Sequence, residues 1–300
     1  MAQALGARRS IAGVAFDFGN TLLMALFAFT ILVPFWIMLV LSFTPNEWAN
    51  DLGLKLWTAR WSLATYRFSL SSYGDVVGAY GNSIFRTVLG TAAIVVATVA
   101  AAYPLSKKRL PGRTFMTVVI LITLFFSGGF ITLYLVVRGV GLLNSRWALI
   151  LPSMANPFYM LIMRNFLMTI DDAYEEAAFI DGANYLQILT RVMLPLSKPV
   201  LAVIALWAAV FHWNEWFHAL LFLNDESKLV LQLILRRMMF LLTSDDLFDM
   251  LDWADQQGII LPTKAVRAAV MLLTIGPIVL AYPFLQRYFV KGIFVGGLKG

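Results

Sequence analysis

Asp171-Asp-Ala-Tyr-Glu-Glu-Ala-Ala-Phe-Ile-Asp-Gly-Ala-Asn-Tyr-Leu-Gln-Ile-Leu-Thr-Arg-Val-Met-Leu-Pro195 is the one long stretch of this chain that reads as helix without reading as membrane. Thr169 or Asp171 can cap its start, the acidic residues fall in the first turns where a helix dipole favours them, and Ala177-Ala178 are strong helix formers. Asp181-Gly182 then stops the helix. A second short helix is expected from about Asn184 to Met193, with Pro195 ending it. Two short helices joined by a glycine turn make a compact knob.

On either side of the knob the sequence changes character. Of 300 residues, 60% are hydrophobic and 13% charged, with a mean hydropathy of +0.77. A soluble domain is nearer half apolar and a quarter charged. The net charge of +6 does not indicate nucleic acid, because too little polar surface remains for a soluble basic domain. With no cysteine, the chain has no disulfide, thiol catalysis or thiolate-bound metal.

A membrane helix needs about 20 mostly apolar residues, and six such stretches occur: Thr21 to Phe43, Asn82 to Pro104, Thr114 to Thr132, Trp147 to Met168, Val200 to Leu223 and Ala265 to Gln286. The expected class is therefore all-α, a polytopic protein with six transmembrane helices. Their only charged side chains are Arg86, Arg164, Glu215 and Arg267. The three arginines lie near span ends, where a long stem can snorkel to the headgroups; Glu215 cannot. Ser127-Gly128-Gly129 interrupts the third span and predicts a bend, with a short amphipathic helix beyond it.

Lys and Arg divide almost evenly between the two sides. They crowd most densely at Lys107, Lys108, Arg109 and Arg113 and again at Arg287, Lys291 and Lys299, which places both termini in the cytoplasm. The expected organisation is a cytoplasmic tail 1–20, a six-helix membrane domain 21–290 with a cytoplasmic loop 170–196 and outer loops 44–81 and 224–264, and a second tail 291–300.

The knob resembles the EAA loop of permease subunits from ATP-binding cassette importers, the binding-protein-dependent inner-membrane components. The family's Glu-Ala-Ala, a glycine four residues on and Ile-x-Leu-Pro after nine more fall on Glu176-Ala177-Ala178, Gly182 and Val192-Met193-Leu194-Pro195, with Asp181 and Ala183 completing its Asp-Gly-Ala centre. Val192 replaces the usual isoleucine, and Leu189 stands where many members have an aromatic residue. Ser127-Gly-Gly, Gly141 to Pro152, His212-Trp-Asn, Leu231 to Arg236 and Tyr282 to Gly292 look like the carbohydrate branch, and more narrowly like permeases for acidic oligosaccharides such as alginate or aldouronate.

The resemblance implies the type I importer fold, called MetI-like, in a bacterial cytoplasmic membrane. It also implies a second homologous permease subunit, two ATPase subunits that carry ATP and magnesium, and an external solute-binding protein. The coupling residues are then Glu176, Ala177, Ala178, Asp181, Gly182, Ala183, Val192, Leu194 and Pro195. This chain lacks a Gly-x-x-x-x-Gly-Lys-Ser/Thr sequence, so neither enzyme activity nor a cofactor of its own is expected.

Span five contains His212-Trp213-Asn214-Glu215-Trp216-Phe217-His218. On a continuous helix His212, Glu215 and His218 fall within about 120 degrees of arc. That face is expected to line the pathway or to hydrogen-bond between helices, and Trp213 and Trp216 are candidate platforms for sugar rings. The spacing is not a zinc pattern. Glu215→Ala is expected to alter transport more than assembly. A proton-coupled secondary transporter using Glu215, His212 and His218 is the alternative. In the last outer loop, Asp245, Asp246, Asp249, Asp252 and Asp255 predict an amphipathic helix with an acidic face; such a face would repel a polyanion, leaving Arg138, Arg146, Arg236 or Arg237 to receive one.

Overall fold

The computed structural model describes residues 11–45, 56–72, 75–241 and 263–296, and these form helices and turns without a strand. The acidic segment Asp245 to Asp255 and the tails 1–10 and 297–300 lie outside the described residues. The chain divides into two compact units, Met1–Ser69 with Leu241–Leu273 and Leu70–Phe240 with Thr274–Gly300.

In the first unit, α1 (Ile11–Ser42) contains the apolar span Ala15–Ser42 and leaves Phe16, Phe18, Phe27 and Phe29 exposed. Helix α2 (Ala64–Ser72) follows. An aromatic cluster closes the segment between them: Trp36 stacks on Trp57, and Phe43 meets Trp61 and Tyr66 with ring centroids 5.6 and 5.0 Å away. Tyr66 donates its hydroxyl to Ser42 Oγ at 2.9 Å.

The second unit is organised around α3 (Val76–Ser106), a 31-residue helix started by Asp75, whose carboxylate accepts from the Gly78 amide. Helices α4 (Arg113–Phe125) and α5 (Gly129–Gly139) are bent by 115° at the Ser127-Gly128 break, as the glycines predicted, although the membrane helix stops at Phe125 instead of continuing to Thr132. The stretch Trp147 to Met168 departs further from expectation. It is not one helix: two 3-10 turns, Arg146–Leu149 and Leu151–Ser153, precede α6 (Pro157–Leu167). The physical signal is Asn156-Pro157, in which Asn156 Oδ1 accepts from the Tyr159 amide and proline takes the first helical position, where no amide is needed. Eleven residues rise only about 16 Å.

The knob follows as α7 (Ala173–Ile180), α8 (Tyr185–Ile188), a π turn Leu189–Met193 and α9 (Leu194–Leu196). At Ser197 the chain turns by 83° into α10 (Lys198–Asn214). Helices α11 (Phe217–Phe222), α12 (Leu231–Leu241) and α13 (Thr263–Gly296) complete the molecule. Among the described residues three helices are long and apolar enough to cross a membrane, or up to five if each bent pair counts as one span. Val99, Tyr103, Met163, Ile188, Met193 and Ile204 are buried together, so α3, α6, α10 and the base of the knob share one core.

Candidate functional site

The knob is built by local rules. Helix α7 ends with Gly182 in the left-handed region at φ +80°, its amide donating to the Phe179 carbonyl while the Ala183 amide reaches back to Ala178. That double bond satisfies two of the carbonyls a helix end leaves orphaned, and a residue with a Cβ is disfavoured at this φ. Two residues later Asn184 and Gln187 cap α8 reciprocally, each side chain accepting from the other's amide at 2.9 Å.

These caps sort the side chains into a base and a crest. Ile188 and Met193 are buried in the core, with Ala178, Ala183, Val192 and Leu194 half-buried against it. Glu176, Ala177, Asp181, Gly182 and Pro195 are exposed. The crest proper consists of residues that the sequence motif does not single out. Ile180 is 86% exposed and Leu186 69%, flanked by Phe179 and Tyr185 in an edge-to-face pair with centroids 5.0 Å apart. Of the acidic pair in the first turn, Glu175 and not Glu176 is buried, and it pairs with Lys107 at the C-terminal cap of α3. Lys107 also lies over the Tyr103 ring, 4.7 Å from its centroid. The knob is thereby tied to the longest helix of its unit by a charge pair as well as by apolar packing.

The second polar constellation lies where span five was expected to be continuous. It is broken. Helix α10 ends at Asn214, Glu215 is extended, and α11 begins at Phe217, so His212 and His218 belong to different helices. What stabilises the break is Arg86, which is not snorkelling to a headgroup: it is 1% exposed on α3. Its guanidinium donates to Glu215 Oε2 at 2.6 Å and also to the Glu215 main-chain carbonyl, which the end of α10 leaves without a helical partner. Glu215 Oε1 in turn accepts from the His218 amide at 2.9 Å, and His218 Nδ1 lies 3.5 Å from Oε2. One carboxylate thus joins three helices.

His212 is buried against Gly90 of α3; a Cβ at Gly90 would lie 2.6 Å from the imidazole Cδ2, so close approach of α3 and α10 depends on the bare backbone there. Trp213 is buried too, its indole donating to the Thr274 carbonyl at 3.1 Å. Asn214 is exposed and donates to the Val210 carbonyl of its own helix. Of the five residues expected to line a pathway, His212 and Trp213 are buried between helices and Asn214 is exposed, while Trp216 meets the guanidinium of Arg236, whose Cζ lies 3.7 Å from the ring centroid. No cluster of three or more His, Asp or Glu side chains able to hold a metal ion occurs among the described residues.

Below the break, α3 also positions the next connection. Asn82 Nδ2 donates to the carbonyls of Ser227 and Leu229 at 2.9 Å each, and Ser83 Oγ accepts from the Leu231 amide at the start of α12. Asn144, in the left-handed region at φ 56°, accepts from the Asn224 and Asp225 amides and holds Lys228 through its carbonyl. Hydrogen bonds from Ser227 and Lys228 keep the exposed Asp225 carboxyl below its ordinary range.

A knob of two short helices stands on a scaffold of long apolar and broken helices, and similarity to known proteins gives its family. Residues 4–295 match the binding-protein-dependent transport system inner membrane component, and the chain belongs to that family. It is 37% identical over 289 residues to protein LplC of Bacillus subtilis, covering 96% of each chain. It is 40% identical over 218 residues to the polygalacturonan/rhamnogalacturonan transport system permease protein YtcP of the same organism, covering 73% of this chain and 75% of that one. Among solved structures, a chain from the crystal structure of a bacterial ABC transporter involved in the import of the acidic polysaccharide alginate superposes with a TM-score of 0.83 at 31% identity, covering 93% of this chain and 98% of that one. The all-α, MetI-like permease fold expected from the sequence is the fold observed.

Proposed function

We propose that this chain is the membrane permease of an ATP-driven importer of oligosaccharides, acidic ones among them, working with a second homologous permease, two ATPase subunits and an external binding protein. The observation that carries the reading is the crest of the knob. Ile180 and Leu186 are among the most exposed apolar side chains of the chain, yet they stand on a doubly capped turn rooted in the core, an arrangement suited to insertion into a partner's apolar groove. Nucleotide-driven closure of the ATPase pair would move the knob, and its 83° junction with α10 and its Lys107–Glu175 tie would carry that motion to α10 and α3. The domain organisation follows: both termini and loop 170–196 in the cytoplasm, loops 44–81 and 224–264 outside. ATP and magnesium belong to the ATPase subunits. The membrane is the bacterial cytoplasmic membrane.

The substrate class is supported by the relatives, two of which serve acidic polysaccharides in their descriptions. The pairing of the Glu215 carboxylate with buried Arg86 supports the ATP-driven reading over a proton-coupled one.

Absence of cysteine makes the proposal directly testable. A single cysteine introduced as Ile180→Cys and labelled with a maleimide-linked benzophenone is expected to photo-cross-link to the ATPase subunit, the excited ketone inserting into a C–H bond of the partner. Asp225→Cys, exposed on the connection after α11, is expected to give no such product and to react from outside with a membrane-impermeant maleimide. Cross-linking from Asp225, or external labelling at Ile180, contradicts both the docking surface and the orientation.

A further inference from the structure

Arg236 is a mounted cation that no carboxylate pairs with among the described residues. Helix α12 buries Leu231, Leu233, Leu235 and Met238, and its first amide is held by Ser83, so the side that carries Arg236 is fixed outward. The guanidinium lies over Trp216 at 3.7 Å, and among the described residues no carboxylate pairs with it. Arg86, the other arginine near the break, makes the contrast: it is buried and its charge is matched by Glu215, the residue beside Trp216.

A surface arginine ordinarily samples many rotamers, and stacking on an indole removes part of that freedom before any ligand arrives. A guanidinium stacked by its face keeps its in-plane N–H edge for other partners, and Arg236 is exposed. That edge is the part of arginine that receives a carboxylate through two parallel hydrogen bonds. Trp216 is half-buried, and the part of its indole that the guanidinium does not cover is apolar surface of the kind that packs against the C–H groups of a pyranose. A carboxylate acceptor beside a sugar-ring platform matches one chemical class, the uronate residue of an acidic oligosaccharide.

We propose that Arg236, mounted on Trp216, recognises the carboxylate of a uronate as acidic oligosaccharide passes this subunit, and so determines specificity between acidic and neutral chains. The proposal rests on the oligosaccharide-import reading above. It also explains why the positive charge is carried by a stacked arginine and not by lysine, whose ammonium has neither the planar face for the indole nor the forked donor edge.

The test is uptake by the assembled transporter in vesicles, with its binding protein, of labelled tetragalacturonate and of the same tetrasaccharide with its carboxyl groups reduced to alcohols. Arg236→Ala is expected to lower the acidic-to-neutral uptake ratio roughly tenfold or more, the loss of a charge-assisted bidentate contact. Arg236→Lys should restore part of that ratio, and Trp216→Phe should leave it closer to wild type than Trp216→Ala does. An unchanged ratio in Arg236→Ala overturns the proposal, as does an equal loss for both sugars, which would mark a structural role. Failure of the wild-type transporter to take up either sugar removes the oligosaccharide reading itself, and this inference with it.

Discussion

Glu215→Ala is expected to destabilise the protein by about 3–5 kcal/mol, the cost of removing one partner from a buried ion pair. The loss follows from what remains. Arg86 is buried, is held on α3 and cannot shed its proton, so without Glu215 an uncompensated guanidinium is left inside the bundle. The His218 amide also loses its acceptor at the start of α11. Arg86→Ala removes the same ion pair from the other side, and the Glu215 carbonyl then loses its donor as well. The double variant Arg86→Gln/Glu215→Gln removes both charges and keeps a donor and an acceptor at the break. It should be more stable than Glu215→Ala, and the cycle it closes with wild type, Arg86→Gln and Glu215→Gln should show a coupling of more than about 1 kcal/mol. Thermal unfolding of the detergent-solubilised complex measures all four forms. Additive losses would mean that the pair does not hold the break. This geometry reverses the expectation from sequence that Glu215→Ala harms transport more than assembly.

The second large effect lies at the crest. Ile180→Asp combined with Leu186→Asp removes two apolar side chains that are exposed in this chain and, in the proposed complex, buried by the ATPase subunit. At about 1.5–3 kcal/mol for each buried side chain, the pair contributes about 3–6 kcal/mol to docking, roughly two to four orders of magnitude in affinity. Neither substitution touches the core residues Ile188 and Met193 that root the knob, so insertion and folding should be retained while the ATPase no longer copurifies. Full copurification of a well-expressed double variant would show that the crest is not the docking surface. Glu176→Ala should have a smaller effect, since its exposed carboxylate is at most one rim contact.

The sequence revealed the knob because every signal there is local. Gly182 lies two positions past Ile180, the last residue of α7, and Asn184 and Gln187 have capping-box spacing, so these signals sit within a few residues of each other; Pro195, expected to end the second helix, instead lies inside α9, and the chain turns at Ser197. Ser127-Gly128 likewise announced the 115° bend between α4 and α5. The break in span five was hidden because its cause is remote. Glu215 and Arg86 stand 129 residues apart, and an arginine near the end of an apolar stretch looks the same in sequence whether it snorkels or pairs. Helical periodicity therefore placed His212, Glu215 and His218 on one face of a helix that ends at Asn214. A signal did exist for the other broken element: Asn156-Pro157 inside an apolar run is a helix start, and it shortens the fourth helix to Pro157–Leu167. The motif named the right loop but not its crest, because a sequence pattern marks Glu176, Ala177 and Gly182 without showing that Ile180 and Leu186 are the side chains turned outward.

Most direct for the account as a whole is uptake of labelled oligosaccharide into vesicles containing this chain, its partner permease, the ATPase pair and the binding protein. Uptake is expected to require ATP and the binding protein, to stop when the ATPase is inactivated by substitution, and to continue in the presence of a protonophore. Uptake that collapses with the protonophore and persists without ATP would contradict the account and return the carrier role to Glu215, His212 and His218.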